Sequence, residues 1–294
     1  MNLKEELEIK KKYTDEGLEE YLPPENKYPE VIYKAMRYSV FAGGKRLRPV
    51  IILAVCEMLG GNIEKARPFA CAIEMIHTYS LIHDDLPALD NDDYRRGRLT
   101  SHKMFGEDIA ILTGDALLGH AFEVMAKAVS ESGDINQAHA MYAIAFGAGV
   151  NGMLTGQVVD VISDGKKIDK DTLDFIHLNK TAAMIRGAFK AGAYIAGADE
   201  ETVKKLDSAA EKIGLAFQIQ DDILDVTSTL EELGKPVFSD EKNEKTTYVT
   251  LYGIEKSKEI VKKLSDDACD ILSSFGERAE FLVELTKYLT DRKK

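Results

Sequence analysis

Apolar positions recur through most of this chain at the three- and four-residue spacing that is typical of α-helices with a buried face. The spacing predicts helices over residues 50–59, 66–83, 108–129, 137–161, 169–196 and 201–225. Pro49 fits the first turn of the first helix, where its missing N–H group leaves no hydrogen bond unmade. No alternating run of Val, Ile and Thr bounded by turn residues occurs, so the pattern predicts no β-strands.

The predicted helices are separated by short glycine-rich or charged joints, and several are apolar on every side. A helix of that kind must be buried against more than one neighbour. Residues 228–247 are more polar and are expected to form a surface loop with a short helix, followed by two amphipathic helices. Because no change in composition marks a linker, we expect an all-α fold in which residues 1–294 form a single large helical bundle with two central helices.

Charge and cysteine content exclude several classes of function. With 50 acidic and 38 basic residues the formal net charge is −12, whereas nucleic-acid binding usually needs a basic surface, so no nucleic-acid partner is expected. The first residues lack the apolar core of a signal peptide, and no stretch approaches ~18 consecutive apolar residues, so we expect no membrane span. Three cysteines without a Cys-x-x-Cys pair indicate neither a disulfide framework nor a zinc site. These features fit a cytoplasmic protein.

Two clusters of aspartates lie within apolar, helix-forming stretches. Their members are Asp84, Asp85 and Asp90 in the first cluster and Asp221, Asp222 and Asp225 in the second. Carboxylates this close repel one another and are rarely buried without a partner. Mg²⁺ commonly links a few carboxylates to substrate phosphates, so the clusters predict a metal-bound polyphosphate held between them. A solvated acidic turn is the alternative, but Ile223 and Leu224 interrupt the second cluster with apolar residues.

Helix geometry sets the arrangement of the second cluster. Asp221 and Asp225 are four residues apart and point from one face, and Gln218 shares that side. Carboxylates at this spacing suit the linking of a cation to a phosphate.

Pro87 determines the arrangement of the first cluster. A residue before proline avoids the α-helical region, so the preceding helix is expected to end or kink near Leu86, with Asp90 returning from a loop. Carboxylates at a helix C-terminus also oppose the helix dipole unless a cation offsets them. His77 lies two turns before Asp84 on nearly the same face. A lone helical histidine is more often structural, but this alignment makes His77 a candidate site residue.

Basic residues near both clusters are candidates for binding a small anion. Arg95 and Arg96 directly follow the first cluster, and arginine offers a planar fork of donors to phosphate oxygens. A second basic loop, GGKRLRP at 43–49, ends at a helix N-terminus, which is a natural anion site. Lys180 and Lys235 add cations next to apolar helices. A solvated charged face and a plain glycine turn are the alternatives for these loops.

Seven segments together resemble the trans, head-to-tail polyprenyl diphosphate synthase family, and within it the bacterial-type farnesyl diphosphate synthases. The segments are GGKRLRP (43–49), EMIHTYSLIHDDLPALDNDDYRRGRLTSH (74–102), GDALL (114–118), GQVVD (156–160), HLNKTAAMI (177–185), FQIQDDILD (217–225) and GKPVFSD (234–240). The resemblance spans about residues 40–250. It implies an all-α fold of the isoprenoid synthase type around a central apolar cavity, and a homodimer. Phe238 departs from the family, which often has glycine there.

The resemblance also implies a role for each matching residue. It implies Mg²⁺ ligands at Asp84, Asp85, Asp90, Asp221 and, through water, Asp225. It implies binding and ionisation of an allylic diphosphate by Arg95, Lys180, Thr181, Gln218 and Lys235, joined by Lys245. It implies an isopentenyl diphosphate site at Gly44, Lys45, Arg48, His77 and Arg96. About three Mg²⁺ ions per active site are expected, with Mn²⁺ as an alternative metal.

Product length is expected to depend on the floor of the cavity. The resemblance implies that this floor is formed by the residues four and five before the first aspartate, Ser80 and Tyr79. The bulk of Tyr79 favours a C15 product, farnesyl diphosphate, made from isopentenyl diphosphate and dimethylallyl or geranyl diphosphate. A geranylgeranyl or geranyl diphosphate synthase is the alternative. Ideal helix angles place Ser80 closer than Tyr79 to the Asp84 face, so the role of Tyr79 follows from the resemblance.

Three other functions fit the sequence less well. A terpene cyclase also binds a metal-bound diphosphate in a helical bundle, but it needs no second diphosphate site such as residues 45–48 suggest. A non-catalytic partner subunit would be expected to lose one aspartate motif, whereas both are complete. A di-iron bundle needs Glu-x-x-His pairs on two helices, and Glu74–His77 has no counterpart.

Overall fold

The computed structural model describes residues 2–227 and 245–291, which fold into a bundle of α-helices. The first half contains α1 (Leu3–Tyr21), α2 (Glu30–Val40), α3 (Leu47–Met58), α4 (Ile63–Asp84), α5 (Ser101–Phe105), α6 (Glu107–Ser132) and α7 (Ile135–Ala148). The second half contains α8 (Met153–Ser163), α9 (Lys170–Ile176), α10 (Ala183–Ile195), α11 (Glu200–Thr227), α12 (Tyr248–Tyr252), α13 (Ile254–Ser273) and α14 (Glu280–Thr290). The all-α fold is confirmed.

The centre of the bundle is formed by helices that are apolar on every side. In α3, each residue from Val50 to Cys56 is at most 4% exposed, because α4 and α10 pack on either side of it. The other face of α4 packs against α6, and α10 also packs against α7 and α11. The prediction that such helices need more than one neighbour is confirmed. Burying this apolar surface is the main stabilising contribution to the fold.

Glycines break the predicted 137–161 helix in two, so that prediction was wrong as a single element. The chain leaves α7 at Gly149 and enters α8 after Gly152. A Cβ atom on Gly152 would lie 2.3 Å from the carbonyl oxygen of Gly147, so only glycine fits this close turn. Apolar periodicity continues through the break and therefore conceals it. The predicted 169–196 helix is likewise divided, by a π-helical turn at His177–Ala182.

The prediction of no strands was wrong at one small hairpin. Strands β1 (Tyr94–Arg95) and β2 (Arg98–Leu99) pair in antiparallel orientation. The two residues between them, Arg96 and Gly97, have φ of 54° and 76°. Positive φ at both central positions is the geometry of a type I′ turn, which matches the twist of the flanking strands. The hairpin is too short to leave an alternating pattern in the sequence.

The ends of several elements agree with the sequence. Helix α4 ends at Asp84, two residues before Leu86, as the position of Pro87 predicted. The two amphipathic helices expected at the end of the chain are α13 and α14, with the short α12 before them. Most of the predicted 228–247 loop lies outside the described residues. The thiols of Cys56 and Cys71 are buried.

Helix α6 bears on the expectation of no membrane span. Within the described ranges, it is the one helix long and apolar enough to cross a membrane by length and composition. The core helix of a folded bundle meets the same criterion, and α6 packs against α4.

Candidate active site

The first aspartate cluster forms at the end of α4. The N–H group of Asp90 donates to the carbonyl oxygen of Asp84 at 2.9 Å, so the loop folds back onto the helix end. The Nε of Arg95 donates to Asp85 Oδ1 at 2.6 Å. Burial is the main cause that raises the pKa of Asp84 to about 6; Asp90 also raises it, while the charge of Lys180 opposes the increase. Negative charge at Asp84 is thus only partly offset by the protein.

The second cluster lines a cavity beside α11. The cavity has a volume of about 290 Å³, and its lining includes Asp221, Asp225 and Gln218 from α11. Lys180 and Thr181 line it from the π-helical turn, and Lys245 lines it from the segment that precedes α12. The structure therefore brings together these six sequence-predicted site residues around one polar cavity.

The π-helical turn that carries Lys180 and Thr181 is held between two glycines. A Cβ atom on Gly156 of α8 would lie 2.2 Å from the backbone nitrogen of Lys180. A Cβ atom on Gly214 of α11 would lie 2.4 Å from the Cβ of Ala182. These glycines allow α8 and α11 to approach the widened turn from both sides. π-Helical turns occur frequently at functional sites, where they redirect side chains.

Lys180 lies between the two aspartate clusters. Its Nζ is 2.5 Å from Asp160 Oδ2, and both residues line the cavity. Its charge also interacts with Asp84 and Asp90 of the first cluster. Although burial opposes it, the ammonium group of Lys180 lowers the pKa of Asp160. A charged lysine in this position can stabilise an anion that contacts both clusters.

Asp222 of the second cluster faces a different partner, the start of α12. The N–H group of Tyr248 donates to Asp222 Oδ2 at 2.9 Å. His177 stacks on the Tyr248 ring at 5.8 Å, and its Nε2 lies 3.4 Å from the same carboxylate oxygen. Asp222 thus anchors the segment that carries Lys245 to α11.

A second group of cations lies at the N-terminus of α3. The guanidinium of Arg96 lies against Gly44, where a Cβ atom would come within 2.7 Å of its Cζ, and donates to the Gly43 carbonyl. Burial is the main cause that holds the pKa of His77 well below the usual value for histidine, and the charges of Arg48 and Arg96 act in the same direction. Among the described residues, the buried Nε of Arg48 has no hydrogen-bond partner. An anion would complete this group.

The carboxylates fit a hard divalent cation, although they do not enclose one. In the part of the chain that the structure describes, no three His, Cys, Asp or Glu side chains converge as a metal site. Mg²⁺ typically takes only one or two carboxylates and completes its octahedron with substrate phosphates and water. The raised pKa of Asp84 indicates charge that a cation would offset. The donor set therefore suits Mg²⁺ that arrives with a polyphosphate.

The remaining sequence-predicted residues are placed less completely. Lys45 is exposed beside Gly44. Lys235 and Phe238 lie outside the described residues, so the expectations for them stay predictions. Sequence reasoning assigned no role to Asp160, although the GQVVD segment contains it. Helix spacing from Gly156 puts Asp160 on the face that meets the π-helical turn, and this signal could have identified it.

The chain resembles several known proteins. A family model described as "Polyprenyl synthetase" matches residues 29–274. The chain is 48% identical to a dimethylallyltranstransferase of Fischerella ambigua, over 90% of this chain and 77% of that protein. It is 47% identical to a chloroplastic geranylgeranyl pyrophosphate synthase of Catharanthus roseus, over 90% and 74% of the two chains. Several other similar curated relatives are also named geranylgeranyl synthases.

Solved structures agree with the sequence relatives. The structure of an FPP/GFPP synthase from Zymomonas mobilis superposes with a TM-score of 0.88 and 34% sequence identity, covering 98% of this chain and 99% of that one. The matched family stretch includes both aspartate clusters, the π-helical turn and the basic loop at the start of α3. On these matches, the chain belongs to the polyprenyl synthetase family.

Proposed function

We propose that this prenyltransferase joins isopentenyl diphosphate head-to-tail to an allylic diphosphate and releases inorganic diphosphate. The observation that carries the proposal is the position of Lys180 between the two aspartate clusters, with a separate pair of cations at Arg48 and Arg96 beside the neutral His77. Two separate anion-binding groups suit two diphosphate substrates. A cyclase, which binds one diphosphate, would have no use for the second group.

In the proposed reaction, the C–O bond of the allylic diphosphate breaks, and the leaving diphosphate takes the electron pair. Lys180, Arg95 and Lys245 stabilise the developing charge, since preoriented cations in a site shielded from water contribute strongly to catalysis. The oxygens of Thr181 and Gln218 face the allylic cation, and apolar helix faces exclude the water that would trap it.

The new C–C bond forms when the isopentenyl double bond attacks the allylic cation. The resulting cation loses a proton to the released diphosphate and so forms the new double bond. Arg48, Arg96 and Lys45 hold the isopentenyl diphosphate, while neutral His77 adds a hydrogen bond. Mg²⁺, held by Asp84, Asp85, Asp90, Asp221 and Asp225, would supply further charge neutralisation at the leaving group.

For the product, the names of the relatives favour geranylgeranyl diphosphate (C20) over farnesyl diphosphate (C15). We therefore propose C20 as the main product. Farnesyl diphosphate is the second candidate, because Tyr79 is only 8% exposed and packs edge-on against His83, one residue before Asp84. A bulky ring fixed in that position would limit the depth of a cavity below the first cluster.

Product analysis separates these candidates. Purified protein is incubated with isopentenyl diphosphate, dimethylallyl diphosphate and Mg²⁺, and the alcohols are sized after dephosphorylation. Geranylgeraniol supports the C20 proposal, and farnesol supports the role of Tyr79. If farnesol dominates, Tyr79→Ala and Tyr79→Met are expected to lengthen the product, and unchanged chain length would exclude Tyr79 as the floor. No condensation with any allylic substrate would contradict the proposed reaction.

The proposed assembly is a homodimer formed through α6 and α7. Exposed apolar side chains on α7 share one helical face, namely Ile135, Tyr142 and Phe146, and α6 exposes Ile111 and Leu112. Large apolar side chains grouped on a surface favour protein contact. Light scattering is expected to give twice the monomer mass of 32.6 kDa. Phe146→Glu is expected to lower the measured mass towards that of the monomer. A wild-type protein that stays monomeric would contradict this assembly.

A further inference from the structure

Arg46 differs from the other cations of the basic loop because its side chain is turned inward. It is 3% exposed and adopts a left-handed backbone conformation with φ of 50° at the N-cap of α3. Non-glycine residues rarely adopt this conformation, so it persists only where surrounding contacts enforce it. The neighbouring Lys45 and Arg48, in contrast, belong to the cation group of the second diphosphate site.

Four acceptors hold the Arg46 guanidinium. Its Nε donates to Asp15 Oδ1 at 2.8 Å, and its Nη1 donates to Glu74 Oε1 at 2.9 Å. Its Nη2 donates to the carbonyl oxygen of Val40 at 2.7 Å, and Nη1 also reaches that of Gly43 at 3.3 Å. These acceptors belong to α1, the end of α2, the basic loop and α4. One side chain therefore connects the loop to three helices.

Glu74 links this arrangement to the anion-binding side chains. It is 1% exposed and lies one turn before His77 on α4. Its charge acts on Arg48 and Arg96 as well as on Arg46. Without this carboxylate, Arg46 would keep only Asp15 as an acidic partner, and Arg48 and Arg96 would lose a compensating charge in a poorly solvated region. Glu74 thus allows them to stay together before any substrate binds.

We propose that Asp15, Arg46 and Glu74 form a positioning triad that preorganises the second diphosphate site. The triad contacts no substrate itself. It fixes the backbone of residues 43–48, so that Lys45, Arg48 and the Gly44–Arg96 contact are in place for the diphosphate of the non-allylic substrate. This inference rests on the proposed function, because it assigns isopentenyl diphosphate to that site.

A buried ion group could instead serve only the stability of the fold. Such groups stabilise weakly compared with well-packed apolar residues, since desolvation offsets much of their attraction. The bonds of Arg46 to two loop-proximal carbonyls and its left-handed backbone favour the positioning role. The two roles differ in their effect on substrates, because lost stability alone leaves the ratio of the two Michaelis constants unchanged.

Asp15 is the best position for a test, because its side chain is 35% exposed and its replacement leaves Arg46 paired with Glu74. Asp15→Ala removes one arm of the triad, and Asp15→Glu keeps the charge. Asp207→Asn is the matched control: Asp207 forms a two-pronged ion pair with Arg186, both bonds 2.7 Å, between α10 and α11. Thermal unfolding of each variant verifies that it is folded.

The measurements are the KM for isopentenyl diphosphate, the KM for the allylic substrate, and calorimetric binding of isopentenyl diphosphate alone. Asp15→Ala is expected to raise the first KM about tenfold with less than about a twofold change in the second. Asp15→Glu is expected to recover most of the loss, and Asp207→Asn to change neither constant selectively.

Two results would overturn the triad. They are equal changes in both Michaelis constants with Asp15→Ala, or isopentenyl diphosphate binding that matches the wild type. Arg46→Lys, which keeps the charge but loses the fork of donors, provides a second test with the same expected selectivity. A wild-type protein that does not bind isopentenyl diphosphate would instead contradict the proposed function. It would also contradict the assignment of isopentenyl diphosphate to the site that the triad positions.

Discussion

The Nζ of Lys180 lies 2.5 Å from Oδ2 of Asp160, and this contact joins the π-helical turn to α8. The carboxylate keeps the lysine charged in a partly buried site, since the pKa of Lys180 is raised although desolvation opposes it. It also fixes the direction of the ammonium group at the cavity wall, where the lysine charge interacts with Asp84 and Asp90. Asp160 therefore has two effects on Lys180, one on its charge and one on its direction.

Asp160→Asn is expected to lower kcat for condensation by about tenfold or more, because Lys180 loses both effects while the shape of the side chain is kept. The fold is expected to remain, since Lys180 still interacts with Asp84 and Asp90. Steady-state kinetics at saturating substrate provide the measurement. Asp160→Glu should recover part of the rate. A kcat equal to that of the wild type would show that Lys180 needs no such partner.

Gly156→Ala is expected to destabilise the protein by about 2 kcal/mol or more and to lower activity, because its Cβ would overlap the backbone of Lys180. Backbone cannot rotate away as a side chain can, so the π-helical turn must shift. Thermal unfolding and product formation measure the two effects.

Gly119→Ala is the matched control on α6, where an added Cβ meets nothing within 4 Å. This exposed helical position is expected to gain up to about 1 kcal/mol, since alanine loses less backbone entropy than glycine on folding. Equal behaviour of the two glycine variants would contradict the close packing at the π-helical turn.

The sequence predicted the helical class, the two aspartate clusters and the end of α4 because each rests on a local rule. Apolar spacing identifies helices, and Pro87 ends the helix before it. The packing of Lys180 against Gly156 could not be read in this way, since it depends on how closely α8 approaches a turn distant in the sequence. A π-helical turn leaves no distinct apolar period, so the 169–196 pattern appeared continuous.

Arg46 shows a second limit of the sequence. Within a run of basic residues, nothing local distinguishes the side chain that turns inward from those that face a ligand. Its partners Asp15 and Glu74 come from α1 and α4, and nothing in the sequence pairs either of them with Arg46. Only the three-dimensional arrangement identifies the buried member of the loop.

Asp84→Asn is expected to stabilise the metal-free protein above pH 6 while it abolishes condensation. The pKa of Asp84 is about 6 in the folded protein and 3.8 in the unfolded chain, so the folded state binds the proton more tightly. Ionised Asp84 thus costs stability at high pH, by at most about 3 kcal/mol. The cost falls as pH decreases from 6 towards 4. Thermal unfolding in EDTA at pH 8 and pH 4.5 should therefore show a difference between variant and wild type that shrinks in acid.

Asp207→Asn is expected to change stability in the opposite direction in the same experiment. Burial raises the pKa of Asp207, but Arg186 and Lys190 together lower it by more than burial raises it. The pKa of Asp207 in the folded protein is therefore below its usual value. Its carboxylate therefore stabilises the fold at neutral pH, and this contribution is lost in acid. The variant should be less stable than the wild type at pH 8. Stabilisation by Asp207→Asn, or a pH-independent effect of Asp84→Asn, would contradict the assigned shifts.

If Tyr79 forms the floor of the cavity, Gly114→Ala is expected to lengthen the product, because Gly114 makes room for the His83 ring that packs against Tyr79. A Cβ atom there would lie 2.1 Å from His83 Nε2, so the ring must move. In moving, it would lose the contact of Nε2 with the carbonyl oxygen of Ile111 at 3.1 Å and its edge-on packing against Tyr79, where the ring centroids are 5.6 Å apart. Tyr79 would then be free to swing away from the first cluster.

The ratio of chain lengths made from geranyl and isopentenyl diphosphate measures this effect. Gly114→Ala and His83→Ala should both shift the ratio several-fold towards longer products, since each removes the packing of His83 against the Tyr79 ring. Gly119→Ala, five residues further along α6, should leave the ratio unchanged. His83 and Gly114 need not touch the substrate. A shift in both variants would therefore show that product length depends on the packing that holds Tyr79 in place as well as on the size of Tyr79. Unchanged ratios in both would place the floor of the cavity elsewhere.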